Sequence, residues 1–500
     1  MLLGALAALA AAPLAGLLVR VWSDGGVLSG GEGFVVVDQA QYLAWIRQVA
    51  DHGLIANPFD LAPGERAFLH PGLLPSGVLH ALGLGIVPAF ALLKLPAVAL
   101  LALGAAAWVR RHVATAGARA VALALALLAV SPLSAVISAL QARPTPLKLD
   151  LDFLEGELWS GTYLWGYPFT AMAVGLLALA LLAYERGRST EGGGRWLAAA
   201  ALAGLACAWL QPWQGATLAL IVVAGEAFSA RRRLVPAAVV LSAVALPLLY
   251  YLLLSRADPS WELAGEVNQV DRWPLWLLAL GLAPLGLPAL LGVRERGRGF
   301  GEVALLAWIP SALAVYFLPF GTFAPHALQG LAIPLAVLAV RGLAALRAPR
   351  AAVLAGLALM VVPGTVYRVD QLEGAVRFQA QPYVLASEER AALRWLDEAP
   401  EAGGVLAPVF TGVLVPGYTG RETWVGPPSW TPGQPERERA AEDLFAGRLD
   451  RAAAERVVRR SGARFLLSDC HGRRDIAGLV RRVATPARRM GCAVVYRVAP

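Results

Sequence analysis

Lysine is almost missing from this 500-residue chain: only Lys94 and Lys148 occur. Charge of either sign is scarce as well. Asp, Glu, Lys and Arg make up 16% of residues, where soluble domains carry roughly 25%. With 57% hydrophobic residues, that scarcity excludes an ordinary soluble enzyme and places the chain in lipid. The missing lysine is replaced by arginine in a background rich in Ala, Gly and Pro, which reflects a GC-rich genome rather than a function. The formal net charge is +8. The arginines fall between apolar runs, so topology accounts for them and nucleic-acid binding does not.

What is present is a series of apolar runs. They lie at 3–21, 88–109, 118–139, 164–184, 195–211, 213–229, 234–254, 273–293, 303–320, 326–344 and 351–368. At about 20 residues per crossing this gives about eleven spans. The short runs 195–211 and 213–229 are split by Gln211-Pro-Trp-Gln214, which reads as a tight hairpin at the membrane surface. Arg110-Arg111, Arg186/Arg188/Arg195, Arg231-Arg232-Arg233, Arg294/Arg296/Arg298 and Arg341/Arg347/Arg350 all fall on one side of this count. The positive-inside rule makes that side cytoplasmic. The N-terminus is then cytoplasmic in a multi-pass plasma-membrane protein, and 22–87, 140–163, 255–272 and 369–500 face outward. The first span lacks a basic n-region and is followed by Arg20, so it reads as an uncleaved anchor rather than a signal peptide.

The expected fold class is an all-α polytopic bundle, residues 1–368, with a small α/β domain at 369–500. In the tail, helices are expected at 388–397, 436–446, 450–461 and 473–484, and strands at 405–410, 464–468 and 493–498. Cys470 and Cys492 flank the last of these helices. They are either a disulfide, if the compartment is oxidising, or two free thiols. Cys207 is apolar filler in a span.

The outward loops are too long and too specifically charged for simple connectors. Asp38 heads a helix expected at 38–52, with Tyr42, Trp45, Ile46 and Val49 on one face and Arg47, Gln48 and Asp51 on the other. Such a helix suits the membrane surface. Asp38 is its N-cap and a candidate catalytic base. His70, beside Pro71, can orient a phosphate or relay a proton. Lys94 at the outer end of the second span either snorkels or meets an anion. The second outward loop carries Arg143, Lys148, Asp150, Asp152, Glu155 and Glu157, then the aromatic run from Trp159 to Tyr167. If extended, Asp150 and Asp152 share a face and can hold a divalent cation, Mg or Mn, with Asp38 as a third ligand. The alternative is a solvated acidic loop beside an interfacial aromatic belt. His326 and Gln329 open the tenth span, where helix N–H groups favour anions. Arg421 lies in a Gly-rich loop of the tail that can close over the bundle mouth.

Together these features resemble the GT-C superfamily of integral-membrane glycosyltransferases. The stretch from Asp38 to Pro75, with its acidic head, a Tyr four residues on and a later His-Pro, is similar to the long first outward loop of that superfamily. His326 to Pro334 looks like the late span that approaches the lipid phosphate. The resemblance implies a polyprenyl-phosphate-linked sugar as donor, a glycan, lipid or protein acceptor, action on the outer face and Asp38 as general base. His70, Lys94, Arg143, Lys148, His326, Gln329 and Arg421 are then the donor-binding set. The Trp-Trp-Asp motif of the superfamily's oligosaccharyltransferases is absent, and Trp424 and Trp430 stand alone. This favours a monosaccharide transferase of the protein-mannosyltransferase or aminoarabinose-transferase type, for which no metal is required.

The rival classes are an oligosaccharyltransferase or polymer ligase with a metal at Asp38, Asp150 and Asp152, a transporter, and a non-catalytic scaffold. A transporter places ionisable groups at mid-membrane and often carries inverted repeats. Here the span centres are nearly free of charge and no internal repeat is visible.

Overall fold

A computed structural model describes residues 2–140, 145–189, 192–293, 297, 299–319, 323–472 and 475–499. Among the described residues, seven helices are long and apolar enough to cross a membrane: Leu3–Asp24, Ile86–His112, Pro168–Ser189, Leu234–Ala257, Leu275–Gly292, Phe300–Phe317 and Arg350–Arg377. The expected span 118–139 is broken. Ala116–Leu128 and Leu133–Ala139 meet at 62°, which makes an eighth crossing if the pair is counted as one. Pro132 ends the continuous helix there, and the freed backbone is satisfied when Val130 N donates to Met360 O at 2.8 Å. Gly194–Leu210 and Ala332–Ala345 are shorter apolar helices, and Pro212–Phe228 follows the turn at Gln211.

The chain divides into two compact units. The first comprises 1–11, 94–252 and 269–374. Its helices Lys94–His112 and Pro168–Ser189 cross at glycines: a Cβ on Gly104 would lie 2.3 Å from the Gly175 carbonyl oxygen. Small residues allow this approach, which is how helices associate without a hydrophobic drive in lipid.

Arginines gather at one end of this unit. Arg111 pairs with Glu185 at 2.8 Å, Arg188 with Glu226 at 2.7 Å, and Arg341 with Glu302 at 2.7 Å. These pairs join the ends of five helices, as the arginine parity requires. Arg294, Arg296 and Arg298 lie outside the described residues.

The second unit comprises 12–93, 253–268 and 375–500. The tail therefore shares a unit with the first and third expected loops, unlike the division at residue 368. Backbone pairing makes the link: Val27 and Leu28 pair antiparallel with Leu385 and Val384. The main sheet has the strand order Val405–Leu406, Phe465–Ser468, Ala493–Val498, Ala484–Met490, parallel at the first pair and antiparallel after it. Helices Ser387–Glu398, Gln434–Phe445 and Arg451–Ser461 match the expectation. The expected helix 473–484 does not. Among its described residues only Ala477–Val480 is helical, and Ala484–Met490 is an edge strand. Pro486 and the paired arginines 488–489 disguise it, since edge strands tolerate both. Cys470 and Cys492 form a disulfide across 22 residues.

The helix expected at 38–52 runs Val36–His52 and is buried on most sides, Gln39, Gln41 and Gln48 included. It is thus a core helix of its unit rather than a surface one. The exposed apolar stripe sits on the next helix, Leu74–Ala81, where Leu74, Val78 and the following Leu82 face out.

Candidate functional site

Asp38 stands in the first turn of Val36–His52, half-buried, where the helix N-terminus favours a carboxylate. It is not the cap: Val35 holds that position without a side-chain bond. One turn on lies Tyr42. Burial first, then the Asp38 charge, push its hydroxyl well above the usual tyrosine range. Tyr42 leads into a ring cluster. Its centroid is 6.0 Å from Trp45, which packs on Phe68 at 5.0 Å and Trp430 at 5.4 Å, with Trp261 against both of those.

His70 belongs to this cluster, 5.9 Å from Phe68. It is buried, and desolvation pushes it down to about 4. A ring that stays neutral at physiological pH can orient a phosphate only as a neutral N–H donor, not as a cation.

Arg421 is committed elsewhere in the tail. Its guanidinium donates to the carbonyls of Leu396, Ala399, Glu401 and Gly403 at 2.6 to 3.0 Å. It thereby closes the open C-terminus of helix Ser387–Glu398, so its donors are not offered to a ligand.

The richest polar cluster lies in the first unit, at the end opposite the arginine pairs. His326 Nδ1 lies 3.1 Å from Glu157 Oε2. Gln329 Nε2 donates to the same oxygen at 2.7 Å. Gln211 Nε2 donates to Gln329 Oε1 at 3.2 Å and lies 3.1 Å from Thr170 Oγ1. Gln214 Nε2 donates to the His326 carbonyl at 3.1 Å. Tyr163 ties the base of the cluster, donating to the Glu157 carbonyl and accepting from Gly330 N. His326 and Gln329 thus meet one carboxylate, and Gln211, Gln214 and Tyr163 brace them from other segments. The sequence singles out His326 and Gln329 but not Glu157, Gln211 or Gln214. The available signal was a pair of glutamines bracketing a Pro-Trp turn between two apolar runs.

A second cluster surrounds the C-terminal half of Arg350–Arg377. Tyr367 donates to Asp152 Oδ2 at 2.9 Å, and Gln371 Nε2 approaches the same oxygen at 3.2 Å. Lys148 lies over the Tyr367 ring at 5.6 Å. Arg368 donates to the Asp152 carbonyl and approaches Glu155 at 4.0 Å. Burial pushes Glu155 up to about 7 against the pull of Arg368. Arg368 also went unread. Its signal was parity: it ends the last span, opposite Arg341, Arg347 and Arg350.

Asp150 and Asp152 are on helix Pro146–Leu158, not an extended segment. Two residues apart on a helix is about 200°, so the pair does not share a face. Asp150 influences Tyr316 while Asp152 binds Tyr367. With that condition unmet, no chemical step is assigned to a metal on this pair. Lys94 donates to the Ala10 carbonyl, and Arg143 lies outside the described residues.

Among the described residues, the groups whose ligand atoms converge as a cation would need are in the tail. Glu389, Asp469 and His471 are one. Glu389 also accepts from Ala386 N and Cys470 N, and Asp469 from His471 N and Gly472 N, so both carboxylates serve the backbone. Glu388 with Cys470 and Cys492 is the other, and its sulfurs are spent on the disulfide.

No protein-family profile and no curated protein sequence matches the chain. Solved structures do. The apo oligosaccharyltransferase of Archaeoglobus fulgidus superposes with a TM-score of 0.50 at 14% identity, over 94% of this chain and 69% of that one. The mycobacterial arabinofuranosyltransferase AftD gives 0.50 at 15%, over 99% of this chain and 40% of that one. ArnT of Cupriavidus metallidurans gives 0.49 at 13%, over 97% and 98%. On the two matches at 0.50, which span nearly the whole chain, this protein has the fold of the GT-C superfamily of membrane glycosyltransferases.

Proposed function

We propose that the protein transfers a sugar from a polyprenyl-phosphate-linked donor to an acceptor on the extracytoplasmic face, with inversion, and that Asp38 is the general base. The observation that carries this reading is the place of Asp38 in a GT-C fold: the first turn of the first long helix after the first span. An acceptor hydroxyl must lose its proton as it attacks the anomeric carbon, and a half-exposed carboxylate is suited to take it. The lipid phosphate leaves as an anion and needs donors at the membrane surface. His326 and Lys148 are the candidates to supply them, since Gln329 and Lys94 already bond Glu157 and the Ala10 carbonyl. A nucleotide site is unnecessary because the donor is lipid-borne.

Asp38→Asn tests this. Transfer from a lipid-linked sugar should fall by at least about 10²-fold, with expression and thermal stability unchanged. Full activity in this variant would remove Asp38 from the mechanism. A second reading, transfer of a whole oligosaccharide, is favoured by the likeness to the archaeal oligosaccharyltransferase. Lipid donors carrying one sugar or several would separate the two.

A further inference from the structure

His326 Nδ1, Glu157 Oε2 and Gln329 Nε2 form a triangle with sides of 3.1, 2.7 and 3.0 Å. Its proton arrangement can be worked out. The Gln329 amide is oriented by its Oε1, which accepts from Gln211, so its nitrogen is the atom facing Glu157. A carboxylate oxygen has no hydrogen to give. If Nδ1 were bare, its lone pair would face that oxygen at 3.1 Å. A bare Nδ1 could take the amide's second hydrogen at 3.0 Å, but only with its lone pair also turned on the carboxylate; protonated, it donates to the charged oxygen, the stronger of the two bonds. Glu157 therefore selects the Nδ1–H tautomer, the opposite of the one free imidazole side chains prefer in water, because the partner of one ring nitrogen decides the state of the other.

The ring is also held in place. Gln214 fixes the His326 carbonyl. Trp213 and Phe323 stand 5.1 and 4.8 Å from the ring centroid. The side chain remains 22% exposed, and among the described residues its Nε2 has no hydrogen bond. Gln214 Oε1 is also without a partner but is fully buried, which leaves Nε2 as the atom a ligand can reach.

We propose that Glu157 is a positioning residue that turns His326 so that Nε2 meets the phosphate ester of the lipid-linked donor. This rests on the polyprenyl-phosphate reading above. With a second proton on the ring, Nε2–H donates to a phosphate oxygen as a charge-assisted bond. Glu157 touches neither sugar nor phosphate and acts through the ring.

The test uses the full-length protein in lipid nanodiscs with farnesyl phosphate as probe and farnesol as control. ¹⁵N spectra of histidine-labelled protein report the tautomer, with His326→Gln assigning the signal. The unmutated protein should show one Nδ1–H ring at His326 and bind farnesyl phosphate more tightly than farnesol. Glu157→Leu should revert the ring to Nε2–H and weaken farnesyl phosphate about tenfold, leaving farnesol unmoved. Glu157→Gln keeps an acceptor oxygen and should retain the tautomer and most of the affinity. An Nε2–H ring in the unmutated protein overturns the proposal, and this measurement does not depend on any variant folding. Farnesyl phosphate binding indifferent to Glu157→Leu overturns the positioning role alone. Failure of the unmutated protein to prefer the phosphate overturns the lipid-phosphate reading on which it rests.

Discussion

Arg188 and Glu226 form a two-point ion pair, Nε to Oε1 at 2.7 Å and Nη2 to Oε2 at 3.0 Å, with only 10% and 5% of their side chains exposed. Tyr184 adds a third donor to the same carboxylate at 2.8 Å. Breaking a buried pair leaves one charge stranded, at a cost of about 3–5 kcal/mol, whereas replacing both partners with apolar groups costs far less. Arg188→Leu should therefore destabilise the protein strongly in thermal unfolding, and Arg188→Leu with Glu226→Leu should recover most of the loss. A double variant as unstable as the sum of the two singles would contradict the pairing.

Arg421 gives a prediction of the opposite kind to a ligand-binding arginine. Its four bonds end on backbone carbonyls of its own unit. Arg421→Ala should lower stability by about 2–3 kcal/mol and leave farnesyl phosphate affinity untouched. Lost affinity at unchanged melting temperature would restore Arg421 to the donor site.

Much of this fold was legible because apolar run length and arginine placement are local signals. They located the seven long apolar helices and the common arginine end. The broken crossing was not legible, since Ala129, Val130 and Ser131 are as compatible with a span as their neighbours. What bends the chain is Pro132 together with a long-range bond from Val130 to Met360. The candidate site was half legible. His326 and Gln329 stand out at a span entrance, but Glu157 is 169 residues from His326, and nothing in its own neighbourhood distinguishes it from Glu155. Arg421 and His70 misled for one reason: sequence gives residue type but not who already occupies its hydrogen bonds or how deeply it is buried.

We propose, on the positive-inside rule, that the arginine end faces the cytoplasm. Ala230, beside Arg231, and Glu266, in helix Pro259–Val267, are both exposed. On intact cells a membrane-impermeant maleimide should label Glu266→Cys and spare Ala230→Cys until the cells are opened. The native cysteines do not interfere, because Cys207 is buried and the other two are bridged. The reverse pattern would turn the protein over and move Asp38 chemistry off the outer face.

His70 makes stability depend on pH in a direction that can be worked out. Its folded value is about 4, against an ordinary 6.5. As pH falls through 6.5, the unfolded chain takes up a proton that the folded chain refuses. Stability contributed by the neutral buried ring is therefore complete above 6.5 and is lost between 6.5 and 4, by about 3 kcal/mol at most. His70→Phe keeps the ring beside Phe68 and removes the titration. Its melting temperature should fall less steeply than that of the unmutated protein between pH 6.5 and 4, while carboxylates that titrate in the same window affect both alike. Parallel pH profiles would mean that His70 is not held neutral in the folded protein.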